Sequence, residues 1–169
     1  MRILGTALAG TVFVGAMIVL IICSLCTQWM WVDGRFNDQD RITIFYGLLR
    51  IKETVTGVDG SSRTTSVSLG KTKNYRISVS VFVIMCVALG LCVVSFILFW
   101  FDGISQYFGI SFLGVADLLT LLSIMLYLCG TDSVYRTNLH MSFSAGLWLS
   151  VVVFMIGFIG LTSILFIIS

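Results

Sequence analysis

Four uninterrupted apolar runs dominate this chain and leave few folds open to it. Ile3 to Thr27 and Ile77 to Phe101 carry no formal charge, Ile104 to Gly130 carries only Asp117, and Thr137 to Ser169 has only His140. A helix crosses a hydrocarbon core with about 20 apolar residues, and each run reaches that length. The expected spans are about 3–27, 77–101, 107–130 and 141–168, with a long connection at about 28–76. Soluble domains are roughly 45 to 50% apolar; this chain is 58% hydrophobic and 11% charged and has no proline. No second composition class appears, so residues 1–169 read as a single four-transmembrane domain. The first run is too long for a cleaved signal peptide, and its small residues Gly5, Ala7, Ala9 and Gly10 lie at its start, so it reads as a helix of the mature protein.

The polar sequence is divided unevenly among three connections. The first, Gln28 to Arg76, is long; the second, from Asp102 to about Tyr107, is very short; the third, Thr131 to Arg136, is modest. The first and third share one side of the membrane. Within the first, ITIFY at 42–46, LRIKETV at 49–55 and TTSVSL at 64–69 have the alternation and β-branched content of strands. Gly57-Val58-Asp59-Gly60 reads as a hairpin turn, since Gly tolerates positive φ and Asp favours turns. A small antiparallel sheet on one face of the bundle is expected.

Charge argues about sidedness. The first connection holds Arg35, Arg41, Arg50, Lys52, Arg63, Lys71, Lys73 and Arg76, and the third holds Arg136, against Arg2 alone on the other side. Taken literally, that bias puts the large loop in the cytosol, as does the lack of loop cysteines and of Asn-x-Ser/Thr sequons. The bias is calibrated on short connections and weakens for a segment that crosses as a folded domain.

Several landmarks along the chain resemble the claudin and peripheral myelin protein superfamily, which includes the clarins and the gamma subunits of calcium channels and AMPA receptors. Gln28-Trp29 resembles the family's tryptophan after the first helix. Tyr46-Gly47-Leu48-Leu49 resembles its Gly-Leu-Trp signature, with Leu49 in place of the usual tryptophan. Arg76 resembles the arginine before the second helix, GVADLLTLLSIMLY at 114–127 resembles the third helix, and Gly146-Leu147-Trp148 is a weaker likeness in the fourth. The likeness covers nearly the whole chain through short motifs. The chain departs from the family in lacking the cysteine pair that usually staples the extracellular sheet. The resemblance implies a membrane all-α four-helix bundle with a small extracellular antiparallel β-sheet, a plasma-membrane location and cytoplasmic termini.

The same residues have bland readings. Trp29 and Trp31 can be interfacial anchors, because an indole joins an apolar ring to a hydrogen-bonding N–H. Gly47 permits close packing or a bend, or is an ordinary strand glycine. Arg76 sets its charge at headgroup level or against a loop acceptor, or simply snorkels.

Five cysteines, at 23, 26, 86, 92 and 129, all lie in or at the edge of apolar runs. Cys23-Ser24-Leu25-Cys26 has the spacing of a redox dithiol, so a membrane thiol-disulfide oxidoreductase is one alternative. A relay needs a second accessible pair on the same side, where only Cys129 is available. A single bridge from Cys26 or Cys23 to Cys129 is open to the chain, since the first and third helices exit together. Cys86 and Cys92 read as small apolar filler. His140 is the only histidine and has no ligand cluster around it, so neither a metal nor a cofactor is expected. Nothing resembles a phosphate loop or a nucleophile elbow, and a net charge of +2 suggests no nucleic-acid partner.

Asp117 is the one formal charge deep inside a span, where a carboxylate is costly and normally faces the bundle interior, a wet cavity or a partner. It bonds within the bundle, with Thr120 and Ser123 on nearby turns, or pairs with a partner, or lines an ion path. Gly5 with Ala9, Thr6 with Gly10, and Thr11 with Gly15 have the spacing that lets helices approach closely. Together with the resemblance, these features imply recognition without turnover. The first expectation is an auxiliary subunit of an ion channel or receptor that uses its third and fourth helices in the membrane. The second is a self-associating junction protein that seals or selects ions, with Arg50, Ile51 and Lys52 biasing against cations.

Overall fold

The computed structural model describes residues 2–36, 40–57, 59–68, 75–101, 104–132 and 140–168. The four apolar runs form helices α1 (Arg2–Cys26), α2 (Tyr75–Leu98), α3 (Ile104–Asp132) and α4 (Ala145–Ile168). Each is long and apolar enough to cross a membrane. The helices form a ring in which α2 packs on α3 and α1 on α4 along the longest seams, while α1 and α3 lie diagonally opposite each other. One face of each helix turns inward at helical spacing: Val14, Met17 and Ile21 of α1, Val81, Met85 and Ala88 of α2, and Leu113 and Ala116 of α3 are fully buried. The opposite faces leave Leu8, Val12, Val19, Val83, Val87, Leu118 and Phe166 exposed. Apolar surface on this scale suits lipid and not water.

Small residues set the helix spacing. A Cβ on Gly160 would lie 2.8 Å from the Phe13 ring, and one on Gly10 would lie 2.7 Å from Phe99, so α1 closes on α4 and on the chain just after α2 through glycine. Of the small α1 residues, Thr6 is also buried, Gly15 has only ordinary contact with Phe96 at 3.8 Å, and Gly5 faces open space.

At one end of the bundle stands a five-stranded antiparallel sheet of order β4-β3-β2-β1-β5. Its strands are β1 (Gln28–Phe36), β2 (Asp40–Gly47), β3 (Arg50–Thr56), β4 (Ser62–Ser68) and β5 (His140–Phe143). β1 to β4 come from the first connection and β5 from the third, and β1 pairs with β5 through Met30↔Phe143 and Trp31↔Ser142. The two odd connections thus share one side, as expected.

Three expected strands are present as β2, β3 and β4, although Leu69, at the end of the third, lies outside the described residues. The turn between β3 and β4 is closed by Gly57 N–H donating to Ser61 O at 2.9 Å and Gly60 N–H to Gly57 O at 3.0 Å. Gly60 takes φ 79°, a backbone that L side chains rarely adopt. Val58, part of the expected turn, lies outside the described residues. Two elements correct the sequence reading. QWMWVDGRF is a full strand, β1, and not only an anchor. The expected start of the fourth span at 141 falls in β5; α4 begins at Ala145, because Met141 to Phe143 pair along β1 in extended form.

Candidate recognition site

The sheet is fastened to the bundle at Trp29. The register of β1 on β2 slips between Gln28 and Met30, a bulge that leaves Trp29 out of the alternation. A bulge re-aims a side chain, and here Trp29 and Met30 are consecutive yet both buried. The Trp29 indole N–H donates to the Ser24 carbonyl at 2.9 Å, and its ring meets Tyr127 of α3 edge-on at 4.9 Å and 60°. The interfacial-anchor reading of Trp29 is therefore corrected: its N–H is satisfied by protein and its ring is fully inaccessible. Trp31, on the other face and paired across from Phe45, is half-buried.

A polar knot surrounds this indole. The hydroxyls of Ser24 and Ser150 lie 2.7 Å apart, and both reach the Gly146 carbonyl, at 2.8 and 3.0 Å. Ser144 N–H donates to Trp29 O at 3.0 Å. Gly146 leaves room for this arrangement, since a Cβ there would lie 2.6 Å from the Trp29 ring and 2.7 Å from the Gln28 carbonyl. Of Gly146-Leu147-Trp148, the first two face inward and Trp148 is exposed.

Gly47 ends β2, and Leu48 and Leu49 form the tight connection to β3. Tyr46 pairs with Ile51, Leu48 enters the core, and Leu49 remains 48% exposed. A Cβ on Gly47 would come within 3.2 Å of the Arg50 carbonyl, so the residue serves close packing at the turn. On β3, Ile51 points inward, whereas Arg50 and Lys52 are exposed on the other face. That face continues on β1 and β2, where Arg41 clasps Asp33 with Nη2 at 2.6 Å and Nε at 3.0 Å and Thr43 donates to the same carboxylate at 3.3 Å. Arg41 holds the Asp33 carboxyl below its ordinary value by hydrogen bond and charge. Asp59 is likewise lowered, by the hydroxyl and N–H of Ser61 at 2.6 and 3.0 Å.

A groove of about 760 Å³ opens where α1 meets this polar face. Leu25, Cys26, Leu49, Arg50 and Lys52 are among its walls. Arg76 stands exposed in the first turn of α2 and lines a separate 370 Å³ cleft with Ser80, Leu126 and Cys129 on the α2–α3 seam. Cys26 and Cys129 are free thiols on different clefts. Their helices are diagonal in the ring, and the bridge that the sequence left open to them is not formed. Cys23 is also free and exposed.

Asp117 lies midway along the Ser105–Gly130 span, roughly 18–20 Å from either end of it. It is buried, and its Oδ1 has no hydrogen-bond partner among the described residues. A Cβ on Gly157 of α4 would fall on this carboxyl and within 2.9 Å of Met17 Cε of α1, so three helices converge there. The expected helpers do not serve it as donors: Thr120 Oγ1 donates to Ala116 O at 3.0 Å and Ser123 Oγ to Leu119 O at 2.9 Å. Among the described residues, no three His, Cys, Asp or Glu side chains cluster as a metal site would require. The side chain of His140 lies outside the described residues.

Fold and site together define a multi-pass helical membrane protein that carries an antiparallel sheet on one end of its bundle. No protein-family model matches the chain, and no curated protein matches it.

Proposed function

We propose that this chain is a claudin-like tetraspan protein of the plasma membrane that acts by recognition without turnover, as an auxiliary subunit of an ion channel or receptor. The observation that carries the reading is the fastening at Trp29, which ties the sheet to α1 and α3 of the bundle. A partner gripped in the membrane then feels the position of the sheet, and the reverse. The membrane part of the surface is the outward face of α3 and α4, where Leu118, Leu122 and Met125 stand beside Trp148, Val152, Met155 and Phe158, all exposed. The short third connection leaves little chain for contact across cells, which favours the auxiliary role over the junction role.

The reading places the sheet outside the cell and both termini in the cytosol. Its cations on strands belong to a folded unit, for which the charge bias of short loops is a weak guide. Cysteine placed at Ser61, in the exposed turn, tests this. Labelling of Ser61→Cys by an impermeant maleimide on intact cells, over the background of the native thiols, supports the reading. Labelling only after permeabilisation sinks it. Cross-linking in native membrane followed by mass spectrometry should then recover a channel or receptor subunit in fixed stoichiometry.

A junction role is the second reading, favoured by the exposure of Arg50 and Lys52 side by side on β3. Continuous strands of the protein at cell contacts, with cation permeability rising on Arg50→Gln, would select it.

A further inference from the structure

We propose that the groove between the end of α1 and the polar face of the sheet is a phospholipid site: Arg50 and Lys52 hold the headgroup phosphate, and an acyl chain descends past Leu49, Cys26 and Leu25. Three observations converge on this occupant. The first is position. Cys26 is the last residue of α1 and Gln28 the first of β1, so the groove they line opens at the level where the chain leaves the hydrocarbon. The second is charge. Arg50 and Lys52 project from one face of β3, about 7 Å apart along the strand, and among the described residues none that lines the groove is acidic. The neighbouring Glu53 belongs to the opposite face, in register with Ile44.

The third is amphiphilicity. The wall toward the bundle is Leu25, Cys26, Leu48 and Leu49, while the wall toward the sheet adds Thr64 and Ser66 hydroxyls and the Phe45 ring to the two cations. Leu49 is 48% exposed at this edge, a position that an acyl chain suits and water does not. A volume of about 760 Å³ lies within the roughly 300–1,000 Å³ of pockets that enclose a small ligand. A guanidinium grips phosphate through paired N–H donors and an ammonium as a point charge. An acidic peptide would use the cations but leave the apolar wall unmatched, so a lipid fits the groove better. Both leaflets contain phosphodiester headgroups, so the proposal stands whichever way the sheet faces. Acidic phospholipids should be preferred, because they carry no choline cation to compete with Arg50 and Lys52.

Native mass spectrometry of the full chain in neutral detergent, titrated with phosphatidylglycerol and with phosphatidylcholine, provides the test. One lipid should be retained above the statistical background, phosphatidylglycerol more tightly. The double variant Arg50→Gln/Lys52→Gln should weaken retention tenfold or more. Arg41→Gln/Arg63→Gln removes the same charge elsewhere on the sheet and should leave it within twofold. Leu49→Ser should weaken it a few-fold. All four substituted cations are exposed, and matching melting temperatures would confirm that the variants fold. Equal losses in both double variants would mean diffuse attraction, and glycerol phosphate binding as well as the lipid would mean a free-anion site. Displacement by polyglutamate at lower concentration than by phosphatidylglycerol would assign the groove to an acidic protein segment. Each of these three results overturns the proposal.

Discussion

The bundle buries polar groups in two places and treats them in opposite ways. At the foot of the sheet, two hydroxyls, an indole N–H and the carbonyls of Ser24 and Gly146 satisfy one another within 3.0 Å. Halfway down α3, Asp117 presents a carboxyl oxygen to the core with no hydrogen-bond partner among the described residues. A completed buried network rigidifies a unique packing, whereas an incomplete one is costly. The knot at Trp29 therefore reads as architecture, and Asp117 as a group kept for a reason other than stability.

Trp29→Ala should break the knot most severely. It empties a fully buried site and removes a donor from Ser24, and aromatic truncations of this kind cost about 3–5 kcal/mol. Thermal unfolding in detergent should show the loss, accompanied by faster proteolysis at the sheet as it comes free of the bundle. If Trp29→Ala melted like the parent protein, the sheet would not be fastened there. Gly146→Ala comes next, at about 1–3 kcal/mol for overpacking. Its new methyl meets a ring, which can shift, and the Gln28 backbone carbonyl, which cannot shift without moving β1.

At Asp117 the same measurement should give a contrary answer. Asn keeps the shape of the carboxyl, so Asp117→Asn should stay within about 1 kcal/mol of the parent protein, the scale of a typical net hydrogen bond. A loss as large as that of Gly146→Ala would show that the carboxyl is an unrecognised member of the packing, and the contrast between the two regions would collapse. Loss of a co-purifying partner at unchanged stability would instead sharpen it, by making Asp117 a contact with that partner.

How legible these regions were in the sequence follows from how far apart their parts lie. The spans declared themselves through length and lack of charge. β2, β3 and β4 did so through alternation and the Gly57-Val58-Asp59-Gly60 turn sequence. β1 hid behind its tryptophans: Met30 and Val32 against Trp31 and Asp33 is a strand pattern, but two indoles after an apolar run also fit a membrane edge. β5 has four residues, too few for periodicity to separate from the helix that follows. Trp29 cannot be recognised as a buried bulge residue until Tyr127 and Gly146 are beside it, and both are remote in the chain. Asp117 was visible as a lone charge. Its isolation was not, because a hydroxyl on the next turn looks like a donor until it is seen bonding its own helix.

The smallest effect belongs to the surface of the sheet, where polar groups are satisfied without being buried. Arg41 lowers the Asp33 pKa from 3.8, so the folded form favours the carboxylate. The resulting stabilisation is complete above the unfolded value near 3.8 and is lost as pH falls through the lower folded value. It should therefore be absent only in strong acid and indifferent to pH between about 5 and 8. The Arg41 side chain is 65% exposed, and such pairs contribute little in water. Arg41→Gln should accordingly leave the melting temperature at neutral pH within experimental error and flatten only the acid limb below about pH 4. A loss at neutral pH comparable to that of Gly146→Ala would mean that the polar face of the sheet is covered in the intact assembly, because only exclusion of water would give an exposed ion pair that weight.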